Sequence, residues 1–212
     1  MSFETESGIP VKALYTASDL DTWSYAERLG SPGRPPFTRG TSPNGYREQP
    51  WVIGLYSGFG SAADANARYR TLLEHGVRSI DIALDLPTQV GLDSDAPEAR
   101  GEVGKVGVAI DTLQDFEDLL HGIPLDAVDH VGMVANAMSP FAVALFVALG
   151  DKQRVPRDRY KVSIQNDVLK EFVARGTYIF PPGPSHKLTV DVIEYCVEHA
   201  PHLLEIVGER LG

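Results

Sequence analysis

Residues 78–84 read RSIDIAL, a short apolar run that is typical of a strand, and residues 85–95 continue as the turn-rich DLPTQVGLDSD. On the N-terminal side, residues 62–75 carry apolar side chains at helical spacing and end before Gly76, a common helix stop. A helix that leads through a short connection into a strand is the repeating pattern of a parallel α/β sheet. The segment around residue 85 is therefore predicted to lie at the ligand-binding end of a strand.

The same pattern continues toward the C-terminus. Helices are predicted over residues 112–121, 140–150, 167–175 and 189–200, and strands over residues 130–135, 160–165 and 203–207. This amounts to about four strand–helix units, whereas a complete (β/α) barrel needs about eight strands and about 250 residues. Periodicity alone does not separate an open doubly wound sheet from a partial barrel.

The first fifty residues have a different composition. They are rich in Gly, Pro, Ser and Arg, with SPGRPP at 31–36 and TSPNG at 41–45, which predicts an extended arm over residues 1–50 ahead of an α/β domain over residues 51–212. A short helix over residues 19–29, capped by Ser18, is predicted within the arm. Its aromatic residues favour an arm that packs on another surface over a flexible tail. They are Trp23, Phe37, Tyr46 and Trp51.

Composition and charge exclude several classes of function. The 212 residues carry a formal net charge of −10, a surface that repels phosphate backbones, so nucleic acid is not an expected partner. No run approaches the roughly 20 apolar residues of a membrane span, and the N-terminus lacks a signal-peptide pattern. The single Cys196 fits a reducing compartment, so we expect a cytoplasmic protein.

Polar residues follow three of the predicted strands. They lie at residues 85–89, 136–139 and 165–167, with Arg175 and Tyr178 further on, where parallel α/β sheets hold their ligands. The alternative is structural, since Asp167 is a natural N-cap for the following VLKEF. No nucleophile–base pair, metal-ligand spacing or phosphate loop appears, so these patterns predict a fold and no reaction.

Longer segments match a known family. They include FTRG at 37–40, YSGFG at 56–60, NARYR at 66–70, DLPTQ at 85–89, GEVGKVGVAID at 101–111, IQNDVLKEF at 164–172 and ARGTYIFPP at 174–182. In unbroken order over about residues 37–202, the chain resembles the substrate-binding barrel of the methylmalonyl-CoA mutase family. The resemblance covers about the N-terminal half of that barrel.

This resemblance implies a TIM-type barrel that encloses an acyl-CoA along its axis, with adenosylcobalamin over the barrel mouth. The implied activity is that of an isomerase that rearranges the carbon skeleton of the acyl group. The cofactor carries the difficult chemistry in such enzymes, while the barrel positions and shields it.

Individual residues also match the family. Tyr56 matches a tyrosine beside the reacting acyl group, Gln165 a glutamine at the thioester, and Arg175 the arginine that pairs with a free substrate carboxylate. Tyr56 with Arg175 points to a dicarboxylic acyl group such as methylmalonyl or succinyl. Asn136 and Asp81 are further candidate substrate contacts. Cobalamin contacts are expected at Ala83, Leu84, Leu86 and Gln89.

The chain departs from the family at other positions. Aromatic, Thr, Met and Arg positions that grip coenzyme A are replaced here by Ser42, Asn44, Gly45, Gln49, Val52 and Gly54. Asp81 stands where the family has a serine, which adds negative charge beside a polyanionic ligand. The Tyr-His pair beside the substrate carbonyl and the DxHxxG motif of the cobalt ligand are absent from the sequence, so we do not expect mutase activity from this chain alone.

Three interpretations remain open. The first is a mutase-type subunit whose missing strands come from another polypeptide or from a second copy in a homo-oligomer. The second is a repurposed half-barrel that binds or transforms a small carboxylic acid through Arg175 and Gln165, without coenzyme A or cobalamin. The third is a non-catalytic partner of a true mutase.

Overall fold

The computed structural model describes residues 3–48 and 50–206, with the backbone alone for residues 204–206. The chain divides into two compact units, Met1–Trp51 and Val52–Gly212. Of the sequence predictions, Gln49, Val207 and the last five residues lie outside the described part.

The first unit contains little regular structure. Its elements are the antiparallel strands β1 (Phe3–Glu4) and β2 (Pro10–Val11), the short helix α1 (Tyr25–Arg28), and 3₁₀ turns at Ala17–Leu20 and Gly45–Arg47. The prediction of one helix over residues 19–29 capped by Ser18 is wrong. The side chain of Ser24 accepts a hydrogen bond of 3.3 Å from the backbone N–H of Glu27, and this cap starts α1. A serine that caps a helix in this way has a non-helical backbone, so a single helix does not run through residue 24.

The second unit is built on parallel strands that alternate with helices. Its strands are β3 (Gly54–Ser57), β4 (Phe59–Gly60), β5 (Ser79–Ile82), β6 (Gly107–Val108), β7 (His130–Val134), β8 (Val162–Gln165) and β9 (Leu203–Ile206). Its helices are α2 (Ala62–Glu74), α3 (Leu86–Gln89), α4 (Leu113–Leu119), α5 (Ser139–Gln153), α6 (Val168–Lys170) and α7 (Pro182–His199), with a π-helical turn at Glu171–Arg175.

One parallel sheet of five strands organises this unit. Its order is β3-β5-β7-β8-β9, and every neighbouring pair is parallel. A second parallel pair, β4 with β6, joins the segments that follow β3 and α3. The sequence predictions did not include β3, β4 or β6, since strands of four residues and of two residues are too short for a clear periodic signal. The predicted mixed α/β class with a parallel sheet is confirmed.

The helices begin where the sequence supplies caps. Ser61 and Thr112 each accept a hydrogen bond from the backbone of an aspartate three residues on, and that aspartate bonds back, which starts α2 and α4. Helix α7 begins at Pro182, seven residues before the predicted start at residue 189. The helix can begin at Pro182 because proline fits the first turn of a helix, where its missing N–H is not needed. The predicted helix was therefore too short at its N-terminal end.

Side chains on the two faces of the sheet differ in character. One face carries Ile80, Ile82, Val131, Met133, Val162 and Ile164, all buried in the core that the helices cover. In that core the rings of Phe116 and Phe146 meet edge to face, with centroids 4.9 Å apart. Because strand side chains alternate, the other face carries Tyr56, Asp81, Gly132 and Ser163, which lie in one row across four strands.

Candidate functional site

A cavity lies at the C-terminal ends of β3, β7 and β8. It has a volume of about 470 Å³ and is lined by Tyr56, Val134, Gln165, Lys170 and Arg175. The structure thus brings together the three residues that the sequence singled out as catalytic, Tyr56, Gln165 and Arg175. Lys170 is an additional cation in the same cavity.

The buried carboxylate of Glu171 organises the cationic side of this cavity. Its Oε1 accepts hydrogen bonds from Lys170 Nζ at 2.9 Å and from Asn136 Nδ2 at 2.6 Å, and Arg175 Nη1 lies 3.6 Å from the same atom. Its Oε2 accepts from the backbone N–H of Thr177 at 3.1 Å and from the Thr177 hydroxyl. Glu171 therefore fixes both cations relative to the loop that follows β7.

The ionised state of Glu171 is favoured by these contacts. Burial by itself would raise the pKa of this carboxyl, but the hydrogen bonds from Thr177 and Lys170 outweigh burial and leave the pKa below its ordinary value of 4.5. Glu171 as a whole is 1% exposed, so its charge is held inside the protein, beside two cations. On the cavity side the Arg175 side chain is 39% exposed.

The short helix α6 and the π-helical turn after it place Arg175 in the cavity. Asp167 accepts a hydrogen bond of 3.0 Å from the backbone N–H of Lys170 and starts α6, which confirms the N-cap interpretation of this residue. The chain then widens into the π-helical turn Glu171–Arg175, which ends at Gly176 with φ of 82°. Single π turns within helices are frequent at functional sites because they redirect side chains. Here the wider turn carries Glu171 and Arg175 at its two ends.

Two polar groups of the cavity have properties that suit ligand binding. The Nε2 of Gln165 is buried and has no hydrogen-bond partner among the residues that the structure describes. An unpaired buried donor is costly unless a ligand or water satisfies it. Partial burial raises the pKa of Tyr56, an effect that the charge of Arg175 opposes and that of Asp81 supports, so the phenol keeps its proton at neutral pH.

A second cavity adjoins the first on the same face of the sheet. It has a volume of about 230 Å³ and shares Tyr56, Val134 and Gln165 with the larger cavity. Its remaining lining residues are Asp81, Gly132, Met133 and Ser163. The predicted substrate contact Asp81 therefore lies in this neighbouring space, on the side away from Lys170 and Arg175.

Hydrogen bonds across three strands fix the floor of this face. His130 Nδ1 lies 3.1 Å from Ser79 Oγ, and His130 Nε2 lies 2.7 Å from Ser163 Oγ. Burial lowers the pKa of His130, although the charge of Asp81 acts in the opposite direction. The imidazole is therefore neutral at neutral pH and links two serine hydroxyls.

Two other residues that the sequence analysis placed at strand ends, Asn136 and Asp85, form hydrogen bonds to other parts of the protein. Asn136 donates to Glu171 and accepts a hydrogen bond of 2.7 Å from the backbone N–H of Asp167, so its amide is used at both ends. Asp85 accepts from the backbone N–H groups of Thr88 at 2.9 Å and Gly104 at 2.8 Å. Both side chains hold loops in place at the C-terminal edge of the sheet. This is a structural role, the alternative to ligand binding for polar residues at strand ends.

Of the four positions expected to contact cobalamin, one is exposed. Ala83, Leu84 and Gln89 are 8%, 1% and 6% exposed, and the amide of Gln89 donates a hydrogen bond of 2.6 Å to the carbonyl of Leu84. Leu86 is 41% exposed. Among the described residues no cluster of His, Cys, Asp and Glu has the arrangement of a metal site.

The sequence reasoning missed Glu171 and Lys170. Both lie within IQNDVLKEF, but a charged residue at a helix start is usually a solvated one, and this hid the burial of Glu171. The available signal was the four-residue spacing from Glu171 to Arg175, which places an acid and a base on one side of a helix.

A parallel sheet with a cation-bearing cavity at the C-terminal ends of its strands is the arrangement by which α/β proteins hold anionic ligands. A family model described as methylmalonyl-CoA mutase matches residues 4–209. The chain belongs to the methylmalonyl-CoA mutase family.

Individual relatives cover nearly the whole chain. Methylmalonyl-CoA mutase of Cereibacter sphaeroides is 44% identical over 201 residues, which is 95% of this chain and 28% of that protein. The enzyme of Escherichia coli K12 is 41% identical over 99% of this chain and 29% of its own length. The methylmalonyl-CoA mutase large subunit of Streptomyces virginiae is 42% identical over 94% of this chain and 27% of its own length. The chain thus spans less than a third of these relatives.

No helix within the described residues combines the length and the apolar character needed to cross a bilayer.

Proposed function

We propose that the chain forms part of the acyl-binding barrel of an isomerase that rearranges the carbon skeleton of a dicarboxylic acyl-CoA. The observation that carries this proposal is the single cavity shared by Tyr56, Gln165, Lys170 and Arg175. A planar guanidinium binds a carboxylate through two parallel hydrogen bonds, so Arg175 takes the free carboxylate of the acyl group. The names of the relatives, all methylmalonyl-CoA mutases, support a ligand of this class.

Each residue of the cavity has a separate task in this proposal. Glu171 holds Arg175 and Lys170 in place through its buried carboxylate. The unpaired Nε2 of Gln165 donates to the acyl carbonyl, and the protonated hydroxyl of Tyr56 lies beside the acyl chain. These tasks are binding and orientation, and none of them needs a redox group.

The barrel is proposed from the order of the strands. In the five-stranded sheet each strand pairs with the preceding strand of that same sheet, whereas a doubly wound sheet reverses its order at a switch point. Among the described strands, β3 and β9 are the outer two, and a barrel closes by adding strands there. Further polypeptide would supply them, for example a completing mutase subunit or a second copy in a homo-oligomer.

The residues expected to contact adenosylcobalamin fit that group poorly. When bound, this cofactor supplies an organic radical by cleavage of its cobalt–carbon bond. Ala83, Leu84 and Gln89 are buried, and only Leu86 presents apolar surface to a ligand. The chemistry proposed for this chain's own residues is therefore acyl binding.

A second candidate function is favoured by Asp81. A carboxylate on the sheet face beneath the cavity opposes the polyanionic coenzyme A, which suits a small carboxylic acid bound without coenzyme A or cobalamin. Arg175 and Gln165 serve the same tasks in both candidates.

Calorimetric titration separates the candidates. Methylmalonyl-CoA, with and without adenosylcobalamin, and free succinate are titrated into the wild type, Arg175→Ala and the matched control Arg159→Ala. Arg159 is an exposed arginine that precedes β8, at the opposite edge of the sheet. We expect saturable binding that Arg175→Ala weakens by about tenfold to a hundredfold and Arg159→Ala leaves unchanged.

The ligand that binds decides between the two. Binding of methylmalonyl-CoA supports the isomerase proposal, and binding of succinate alone supports the second candidate. No heat with any ligand contradicts both and leaves a non-catalytic partner of a mutase as the remaining interpretation.

A further inference from the structure

We infer that the chain hydrolyses the thioester of its acyl-CoA ligand, with Ser163 as the nucleophile and His130 as the general base. The inference rests on the proposed acyl-CoA site and adds a reaction at the thioester carbonyl. Ser163, His130 and Ser79 lie on β8, β7 and β5, which are far apart in the sequence, so no sequence spacing indicates this group.

Hydrogen bonds link the three side chains. His130 Nε2 lies 2.7 Å from Ser163 Oγ, and His130 Nδ1 lies 3.1 Å from Ser79 Oγ. These are the distances required between a nucleophile, its base and the group that orients the base. With its proton on Nδ1, the imidazole donates to Ser79, and its Nε2 accepts from the hydroxyl of Ser163.

The surroundings of His130 suit a general base. Burial lowers the pKa of the imidazole, so the ring is neutral at neutral pH and able to accept a proton. The negative charge of Asp81 acts in the opposite direction and stabilises the imidazolium that proton transfer creates. Gly132 leaves room for this pair, since a Cβ there would lie 1.9 Å from Asp81 Oδ1 and 3.3 Å from His130 Cε1.

Ser163 faces the space where the proposed function places the thioester. It lines the smaller cavity together with Tyr56 and Gln165. Ser163 and Gln165 are two residues apart on one face of β8, so their Cα atoms are about 6.6 Å apart. The unpaired Nε2 of Gln165 donates to the acyl carbonyl in the proposed function, which brings the carbonyl carbon next to the Ser163 hydroxyl.

Two donors are available for the negative charge that develops on the carbonyl oxygen. They are Gln165 Nε2 and the protonated hydroxyl of Tyr56, which line the same cavity. Side-chain donors in this position stabilise the tetrahedral intermediate of acyl transfer. Arg175 in the adjoining larger cavity binds the free carboxylate, so the site favours dicarboxylic over monocarboxylic acyl groups.

The reaction has two steps. In the first, Ser163 Oγ bonds to the thioester carbonyl carbon and its proton passes to His130 Nε2. The carbon–sulfur bond then breaks, the departing sulfur of coenzyme A takes that proton, and an acyl ester remains on Ser163. In the second, water attacks the ester and gives a proton to His130, which returns it to Ser163 Oγ as the acid leaves. The products are a dicarboxylic acid and coenzyme A, and water is the only other reactant.

Release of coenzyme A from methylmalonyl-CoA, followed by liquid chromatography, tests the inference. Ser163→Ala and His130→Gln are compared with the wild type and with Ser31→Ala, a control at an exposed serine of the first unit. We expect Ser163→Ala and His130→Gln each to lower the rate by about a hundredfold or more, and Ser31→Ala to leave it unchanged. The double variant should be no slower than Ser163→Ala, because the two side chains act as a unit.

Folding and binding are measured separately. Urea unfolding checks that each variant folds, and titration of methylmalonyl-CoA into Ser163→Ala measures binding without heat from hydrolysis. Treatment of the wild type with diisopropyl fluorophosphate provides a measurement that needs no variant. Peptide mass spectrometry should locate the label on Ser163, and hydrolysis should be lost in proportion to labelling.

The outcomes separate this inference from the proposed function. If methylmalonyl-CoA binds the wild type but is hydrolysed no faster than in buffer, the inference is wrong and the proposed function stands. Hydrolysis that persists in Ser163→Ala, or a wild type that takes up no label on Ser163, also overturns the inference. If methylmalonyl-CoA neither binds nor reacts, the inference and the proposed function fail together.

Discussion

The two faces of the five-stranded sheet come from the same strands and have opposite chemistry. Ile80 and Ile82 point into the helix-covered core, while Ser79 and Asp81 alternate with them toward the cavities. The helix face of the strands carries mainly apolar side chains, and the cavity face carries most of the polar and charged ones. A one-residue shift of register would exchange the two sets, so burial of the helix face fixes the placement of the polar set.

This difference separates stability from function within single strands. The helix face should carry most of the free energy of unfolding, because burial of apolar area is the dominant favourable contribution. The cavity face, with the unpaired Nε2 of Gln165, should contribute little stability and most of the binding. Substitutions on the two faces test this division directly.

The largest effect is expected in the core. Phe146→Ala removes a fully buried ring that packs edge to face on Phe116, and should lower the free energy of unfolding by about 3–5 kcal/mol. Tyr56→Phe on the cavity face should change it by no more than about 0.5 kcal/mol. Urea unfolding with equal m-values measures both. Equal costs for the two substitutions would contradict the division between the faces.

An intermediate effect is expected at Glu171, the buried carboxylate that contacts Lys170 and Arg175. Glu171→Ala leaves Asn136 and Thr177 without their acceptor and should lower the free energy of unfolding by about 2–4 kcal/mol. Glu171→Gln keeps an acceptor and should cost less, and the exposed Glu194→Gln should cost nothing measurable. A loss of unfolding free energy for Glu171→Ala no larger than that of the surface control would show that this carboxylate does not hold its hydrogen-bond partners in place.

The same residue predicts an acid dependence. Because the pKa of Glu171 in the folded protein is below its ordinary value of 4.5, its stabilisation is fully present above that pH. It is lost as the pH falls through the lower folded-state pKa. Unfolding measured at several pH values below 5 should therefore show a smaller loss of stability in Glu171→Gln than in the wild type.

The smallest effect is expected at His130. Its pKa is lowered below 6.5 by burial, so the folded state resists protonation and stability should decline as the pH falls below about 6.5. His130→Gln should remove this part of the pH dependence while keeping a polar contact to the neighbouring serines. The slope of unfolding free energy between pH 7.5 and 5.5, compared for the two proteins, provides the measurement. An identical slope would mean that the imidazole is not the titrating group.

Strand–helix order was accessible from the sequence because apolar periodicity and helix caps are local signals. The strands over residues 79–82, 130–134 and 162–165 lie inside the predicted ranges. The start of α7 at Pro182 and the split of the first predicted helix at Ser24 were not accessible from periodicity, since both depend on capping geometry. The short pair β4 and β6 depends on contacts between distant segments.

The candidate site was predictable only through the family resemblance. No local pattern distinguishes Arg175 from other arginines, and its importance comes from the cavity that it shares with Tyr56, more than a hundred residues away in the chain. The burial of Glu171 depends on tertiary neighbours, Asn136 and Thr177, which pair with its carboxylate. A single sequence does not record such neighbours.

The strand order β3-β5-β7-β8-β9 also bears on how the protein is made. Each strand after β3 finds its partner in the strand of this sheet that was synthesised before it, so pairing can proceed from one end as the polypeptide leaves the ribosome. Partners that are close in sequence have a low entropic cost of loop closure, which favours fast folding. The sheet can thus grow one strand–helix unit at a time, with the most recent strand exposing an edge only until the next unit arrives.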